Sequence, residues 1–243
     1  MKRLQIVALL ALCLLMGCSQ PQKRQYIVVN QALAMGDSTL YGLVCDGSND
    51  TIVVFLTDPY DGTDPDTLNI LEASSSRKVF GSLRVGDKVA MMRNAADSTK
   101  ADIVIVTQDL MGQWCFKVKP TLRRRAGMDS LELLPDTVLR MLEEEREYGF
   151  TLKIDSVAVP IGTRGRTAAD EESPVEYPRA KRYRQWYISN GQLLLAQART
   201  DSTGQSMPTA VDTAELVRLD PDSLILRFAD GERSFYRKVE TPE

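Results

Sequence analysis

Four cysteines, two runs of carboxylates and a complete lack of histidine bound the chemistry open to this 243-residue chain. Cys13, Cys18, Cys45 and Cys115 are its thiols, and a thiol can be acylated, paired as a disulfide, bound to a metal or used as a nucleophile. Without histidine, Ser-His-Asp and Cys-His catalysis are excluded and the commonest metal ligand is missing. Neither a phosphate-cradling G-x-x-x-x-G-K-[ST] loop nor a G-x-S-x-G elbow occurs. The acidic turn DPYDGTDPD places Asp58, Asp61, Asp64 and Asp66 close together. Clustered oxygens attract calcium, but the spacing is not that of an EF-hand loop, and Asp-Gly and Asp-Pro are ordinary turn material. The run from Glu143 to Glu147 is interleaved with Arg140 and Arg146, the pattern of a solvated face. Crowded exposed carboxylates have no dry pocket to tune them. No catalytic residue, metal site or cofactor is expected, and the chain is not expected to be an enzyme.

The amino terminus carries the most specific pattern. Lys2 and Arg3 precede an apolar run from Leu4 to Met16, broken only by Gln5, and the small residues Gly17, Cys18 and Ser19 follow. A helix needs ~20 apolar residues to cross a bilayer core, so this run is short for a span. A basic start, a short apolar centre and a small-residue end describe a secretory leader. Leu15-Met16-Gly17-Cys18 resembles the lipobox of bacterial lipoproteins. The resemblance implies cleavage before Cys18, a diacylglyceride on its sulfur and a further acyl chain on the new amino terminus. Two or more chains hold a protein on a membrane where one does so only marginally.

Residues 1–17 are therefore expected to be a signal peptide and residues 18–36 a tether. The tether begins Ser-Gln-Pro-Gln-Lys-Arg-Gln, with basic charges only. Families of surface-exported lipoproteins often carry acidic residues there, so the expected location is the cell envelope, on the outer membrane and facing the periplasm. The formal net charge of -3 includes Lys2 and Arg3; loss of the leader leaves an acidic chain, which argues against phosphate-driven nucleic-acid binding. Cys45 and Cys115 remain for the fold. An oxidising compartment permits a disulfide between them, and two independent structural thiols are equally compatible with the sequence.

Residues 37–109 read as short strands separated by turns: TLYGLVC, TIVVFLT, TLNILEA, SLRV, KVAMM and DIVIVTQ, bounded by Gly, Asp and Asn. The consecutive apolar residues Ile103 to Val106 and Ile52 to Leu56 predict strands covered on both faces. Strand count and the GSLRVGDKVAM pattern resemble OB folds, which implies a small β-barrel. Residues 110–243 read differently. Trp114, Phe116 and Val118 alternate with Cys115, Lys117 and Lys119, which predicts aromatics inward and Cys115 outward. Phe150, Leu152 and Ile154 form a second inward face, and Leu224, Leu226 and Phe228 a third. Between them LPDTVLRMLEEEREYG predicts one short helix, opened by Pro135 and closed by Gly149. TLRRRAGM and GTRGRTAADEESPVEYPRAK read as loops.

Gly112-x-Trp114 on a first strand resembles the opening motif of lipocalins. Gly149-Phe150-x-Leu152, Trp186 with Gly191-Gln192-Leu193, Gly204-Gln205-Ser206, Ser223-Leu224-x-Leu226 and the closing FYRK continue in the manner of lipocalin-like domains of Gram-negative lipoproteins. The resemblance implies an antiparallel β-barrel, making the chain all-β: a small OB-like barrel followed by a lipocalin-like one with one short helix. A barrel interior is either filled or hollow. If hollow, Trp114, Phe116, Phe150, Leu152, Trp186 and Leu193 are the candidate ligand-cavity residues. The expected function is a membrane-anchored, non-enzymatic binding module for a small apolar ligand or an envelope protein. The alternative is a structural or assembly lipoprotein with a filled barrel.

Overall fold

The computed structural model describes residues 36–123, 134–162, 172–200 and 206–239. Cys18, the leader, nearly all of the tether, most of TLRRRAGM, half of the long loop after Gly162, and Gly204 and Gln205 lie outside them. Among the described residues no helix is long and apolar enough to cross a membrane.

The chain first builds a six-stranded sheet from β1 (Leu40–Val44), β2 (Ile52–Thr57), β3 (Asp66–Asn69), β4 (Val79–Phe80), β5 (Lys88–Arg93) and β6 (Ala101–Val106), in the order β3-β2-β1-β5-β6-β4. All pairs are antiparallel except β4 with β6. A parallel bridge from Asn69 to Lys100 brings the end of β3 beside the start of β6, so the sheet curls back on itself. Its core holds Val53, Phe55, Leu68, Ile70, Met91 and Val104. Two expectations are corrected here. SLRV forms no strand; the strand is Val79–Phe80, and the turn at Gly86-Asp87 leads into β5. TLNILEA is a strand only to Asn69, after which helix α1 (Leu71–Ser75) begins and buries Ala73. Strand β2 alternates, with Val53 and Phe55 buried and Ile52, Val54 and Leu56 half-buried, so only one of its faces is fully covered. In β6 both faces are covered: Val104 and Val106 enter this core, and Ile105 enters the next one.

Helix α2 (Thr107–Leu110) leads into the second sheet. Its strands are β7 (Gly112–Val118), β9 (Arg146–Leu152), β10 (Ala158–Ile161), β12 (Tyr183–Ser189), β13 (Gln192–Thr200), β14 (Ser206–Leu219), β15 (Ser223–Phe228) and β16 (Gly231–Arg237). They form an up-and-down antiparallel meander in which β16 returns to pair with β7. The remaining seam, between β10 and β12, carries the bridge Val157 to Gln185 and a 2.9 Å bond from Trp186 N to Ser156 O. The result is a nearly closed eight-stranded barrel. β8 (Thr121–Leu122) and β11 (Val175–Glu176) pair as a separate ribbon, so part of the predicted long loop is a strand. Helix α3 (Asp136–Glu143) is the predicted helix, and α1 and α2 are two more.

The barrel interior follows the expected alternation. Trp114, Phe150, Leu152, Leu193, Leu195, Leu224 and Leu226 are at most 2% exposed and share one core. A bulge between Tyr183 and Gln185 shifts the parity of β12, which lets both Tyr183 and Trp186 face inward three residues apart. Three sequence readings change. Cys115 lies on the face opposite Trp114 yet is fully buried, because Tyr236 and Gly149 flank it on the neighbouring strands. Its thiol is pushed up by burial and by the charge of Glu147, the condition of an inert structural cysteine. Both Cys45 and Cys115 are free thiols: one closes β1 of the first sheet, and the other is enclosed within the barrel wall. Gly149 does not end a helix. It sits inside β9, where a Cβ would lie 1.9 Å from the carbonyl oxygen of Trp114. Ile154 leaves the barrel face and is 66% exposed in a turn.

Charged groups around β7 pair across strands and not along the helix. Glu143 meets Lys119, Glu145 meets Lys117, and Glu147 meets Lys238. Such exposed pairs contribute little to stability. The acidic turn is likewise consumed locally: Asp58 pairs with Lys88, Asp66 with Arg93, and Asp61 accepts from Thr63.

One guanidinium ties the end of α2 to the barrel. Arg237 stacks over the Trp114 ring with its Cζ 4.1 Å from the centroid. It donates to the carbonyls of Asp109, Met111 and Pro221 at 2.5, 2.7 and 2.5 Å. Gly112, at φ +131°, makes room for it; a Cβ there would lie 2.3 Å from Arg237 Nη1. Arg237→Ala is expected to lower the unfolding free energy by ~3 kcal/mol, because three acceptors and an aromatic face lose their partner together. Arg237→Lys should recover only a minor part, since an ammonium lacks the planar fork. Urea unfolding followed by tryptophan fluorescence reads both changes. A loss below ~1 kcal/mol for the alanine variant would show the contact to be dispensable.

Candidate functional site

The six residues singled out from the sequence are assembled in one place. Trp114, Phe150, Leu152, Trp186 and Leu193 belong to the barrel core, and Phe116 packs against it. Two of their rings pack on neighbouring aromatics: Phe116 meets Phe235 edge-on at 5.2 Å, Phe150 lies 5.2 Å from Phe235, and Phe150 meets Tyr183 edge-on at 5.9 Å. These are ordinary edge-to-face and tilted packing geometries of aromatic rings. The indole nitrogens are also committed, Trp114 Nε1 to Leu110 O and Trp186 Nε1 to Lys153 O, each at 2.8 Å.

The open space beside this core lies outside the barrel. A cleft of about 490 Å³ separates the first sheet from the seam of the barrel. Tyr41 of β1, Lys88 and Val89 of β5, and Thr107, Gln108 and Met111 around α2 form one wall. The turn Ile154-Asp155-Ser156 and the end of β12 from Trp186 to Ser189 form the other, with Asp37 and Asp58 also contributing. Of the six nominated residues, Trp186 alone borders it.

The walls are held by specific bonds. Lys153 N donates to Val157 O, closing a tight turn in which Asp155 and Ser156 both adopt positive φ, 62° and 60°. Left-handed conformations are costly for residues with a Cβ, least so for Asp and Asn. Trp186 grips this turn twice, through its backbone and its indole N–H, and the turn in exchange projects Ile154 into the cleft. Across the gap, the Tyr41 hydroxyl donates to Ile188 O. Asn190, at the tip of the β12–β13 hairpin, docks on the segment before β1. Its backbone N–H donates to Asp37 Oδ1 and Thr39 Oγ1, and its Oδ1 accepts from Ser38. The following Gly191, at φ +72°, faces Ile103 and Met92, where a Cβ would lie 2.7 Å from Ile103 Cδ1.

Burial and the charge of Asp37 push the Tyr41 phenol up to about 12, and burial does the same for Tyr187. Both stay neutral through the physiological range. The Tyr187 hydroxyl is buried without a hydrogen-bond partner among the described residues. Lys88 and Asp58 form a half-exposed pair at 2.9 Å. Among the described residues no group of three or more His, Cys, Asp and Glu side chains is placed to hold a metal. The cleft offers aromatic and aliphatic surface, hydroxyls and a few charges, which suits binding.

Tyr41, Met111, Ile154, Asp155 and Tyr187 were not singled out from the sequence. They come from four separate stretches whose juxtaposition depends on how the sheets dock.

No protein-family model matches the chain, and no curated protein matches it significantly. Among solved structures, a lipocalin-like protein from Bacteroides thetaiotaomicron VPI-5482 is similar at 18% identity. The match covers 54% of this chain and 97% of that one, with a TM-score of 0.28. The barrel described above rests on its own strand pairings.

Tyr41 provides a pH-dependent check on how the two sheets hold together. Its folded-state pKa is raised above the unfolded value of ~10, so its contribution is fully present below pH 10 and is lost as pH rises toward 12. Urea midpoints measured between pH 8 and 12 should fall above pH 10, and Tyr41→Phe should make that fall shallower. An unchanged alkaline slope in Tyr41→Phe would show that this phenol is not held neutral by the fold.

Proposed function

We propose that the protein is a lipid-anchored envelope lipoprotein that binds a small molecule in the cleft between its two β units and is not an enzyme. In this reading residues 1–17 are a signal peptide, Cys18 is the acylated first residue, residues 18–36 are a tether, and the protein faces the periplasm from the outer membrane. Residues 37–109 form an OB-like unit. The curled antiparallel sheet, the parallel Asn69–Lys100 bridge and a helix between β3 and β4 support that assignment. Residues 110–243 form a lipocalin-like unit, supported by Gly112 and Trp114 on the first strand with Arg237 of the last strand stacked over the indole.

The observation that carries the binding role is the cleft itself. Its volume of about 490 Å³ falls within the ~300–1,000 Å³ usual for small-molecule sites, and its lining mixes apolar surface with a few polar groups. We take this outer face as the ligand site in preference to the barrel interior because the described open space lies here. The ring contacts of Phe116 and Phe150 with Phe235 inside the barrel favour the second reading, an assembly module with no small ligand.

Native mass spectrometry of the protein extracted from its own membrane separates the two. A retained mass beyond the acyl groups, lost in Met111→Arg, is the expected result; a bare acylated protein would favour the assembly role. For the anchor, Cys18→Ala should move the protein from the membrane to the soluble envelope fraction. Unchanged membrane fractionation would refute acylation at Cys18.

A further inference from the structure

The geometry points to an organic cation with an apolar body as the ligand class of the cleft, a statement that rests on the binding role proposed above. Three observations converge on it.

The first is the charge left over once the local pairs are counted. Four charged side chains line the cleft: Asp37, Asp58, Asp155 and Lys88. Lys88 is matched by Asp58 at 2.9 Å, so this pair presents little net field. Asp37 is held by the neutral donors of Thr39 and Asn190, which fix its position and leave its charge in place. Asp155 forms no ion pair among the described residues. Two carboxylates without an ion pair among the described residues therefore line the same space, and Lys153, the next cation along the turn, does not line it. A site of this sign concentrates cations and repels anions.

The second is the surface on which such a ligand would rest. Tyr41 and Tyr187 line the cleft, the buried Trp186 borders it, and Met111 and Ile154 lie beside them. Aromatic faces attract cations, and with Met and Ile they take up a hydrocarbon body in the same contact. Ile154 is 66% exposed, a large apolar side chain held out at the mouth by a turn with two left-handed residues. Burying it under a ligand would recover apolar contact that the free protein leaves in water.

The third is the unpartnered Tyr187 hydroxyl in the same wall. Burial keeps it a neutral phenol, and its lone pairs would accept from an ammonium N–H once the side chain turns the hydroxyl out toward the cleft. A hydroxyl without a partner makes the empty wall less stable than a phenylalanine would, which is the sign of a group retained for binding.

The test uses three probes that share one body and differ only in the head group: 4-phenylbutylamine, 4-phenylbutanol and 4-phenylbutyrate. Each is titrated into the full chain by calorimetry, with Trp fluorescence as a second readout. The amine is expected to bind about tenfold more tightly than the alcohol, and the carboxylate more weakly than either. Asp155→Asn keeps a side chain suited to the left-handed turn and should bring the amine down to the affinity of the alcohol. Ile154→Ser should weaken all three probes alike. Equal or tighter binding of the alcohol or the carboxylate would overturn the cationic assignment while leaving a binding cleft in place. If no probe binds, the cationic assignment falls. A retained native mass would then still uphold the binding role, and its absence would remove both.

Discussion

The arrangement of this molecule hangs on the guanidinium of Arg237. Three carbonyls from two separate stretches of chain, Asp109 and Met111 on one and Pro221 on the other, converge on one planar donor. Trp114 closes the other face. Asp109 belongs to α2 and Met111 follows it, Trp114 opens the barrel, Pro221 lies between β14 and β15, and Arg237 ends β16. One side chain thus ties the outgoing end of the first sheet to both the first and last strands of the second. Burial disfavours the charge on Arg237, but an arginine does not deprotonate under such conditions; it remains charged and its N–H groups must be matched. The carbonyls around it are matched in turn. Each partner would be an orphan without the other, which makes the junction directional where hydrophobic contact alone would let the sheets slide.

What the junction positions is a shared core. Phe80, Ala90 and Ile105 of the first sheet pack in the same cluster as Trp114, Ile188 and Leu193 of the barrel. Strands β5 and β6 consequently bury both faces, one in each core. The cleft is the place where that shared packing stops. Beyond Ala90 the first sheet presents Lys88 and Tyr41, and beyond Ile188 the barrel presents its seam turn. The two surfaces diverge because the turn of Ile154 to Ser156 stands out from the barrel wall. The seam is also where barrel closure rests on a single bridge and on Trp186. The least regular part of the barrel is therefore the part that faces the open space.

The legibility of these features in the sequence follows how local their causes are. Alternation in Trp114 to Val118 and Leu224 to Phe228 is a property of each strand alone, and it gave the inward faces directly. The apolar run Ile103 to Val106 signalled double coverage because no single face could absorb four consecutive apolar side chains. Cys115 was misjudged because pleat parity tells which side a residue is on, not what lies over that side. Gly149 looked like a helix stop because it follows a helical pattern; its actual constraint, the backbone of Trp114, lies on another strand. The cleft was invisible for the same reason, since Tyr41, Met111, Ile154 and Tyr187 are joined only by tertiary docking. Trp186 is the exception, having been picked out as a core aromatic and bordering the cleft as well.

The seam turn shows where local preference yields to something else. The five-residue connection between β9 and β10 could be built with glycine at the left-handed positions, at no steric cost. This chain uses Asp155 and Ser156 there and follows an exposed isoleucine. Two of these choices are unfavourable on their own terms: strained φ values and apolar surface in water. Tyr187, in the same wall, adds a hydroxyl without a partner. Some other such conflicts are resolved, as where the acidic turn at Asp58 pairs with Lys88 and Arg237 is matched to its carbonyls. Sites where several unfavourable choices coincide are characteristically sites held for a function and stabilised by the surrounding structure. Here the surroundings are the double grip of Trp186 and the docked hairpin at Asn190, which together hold an otherwise unfavourable turn against the open side of the fold.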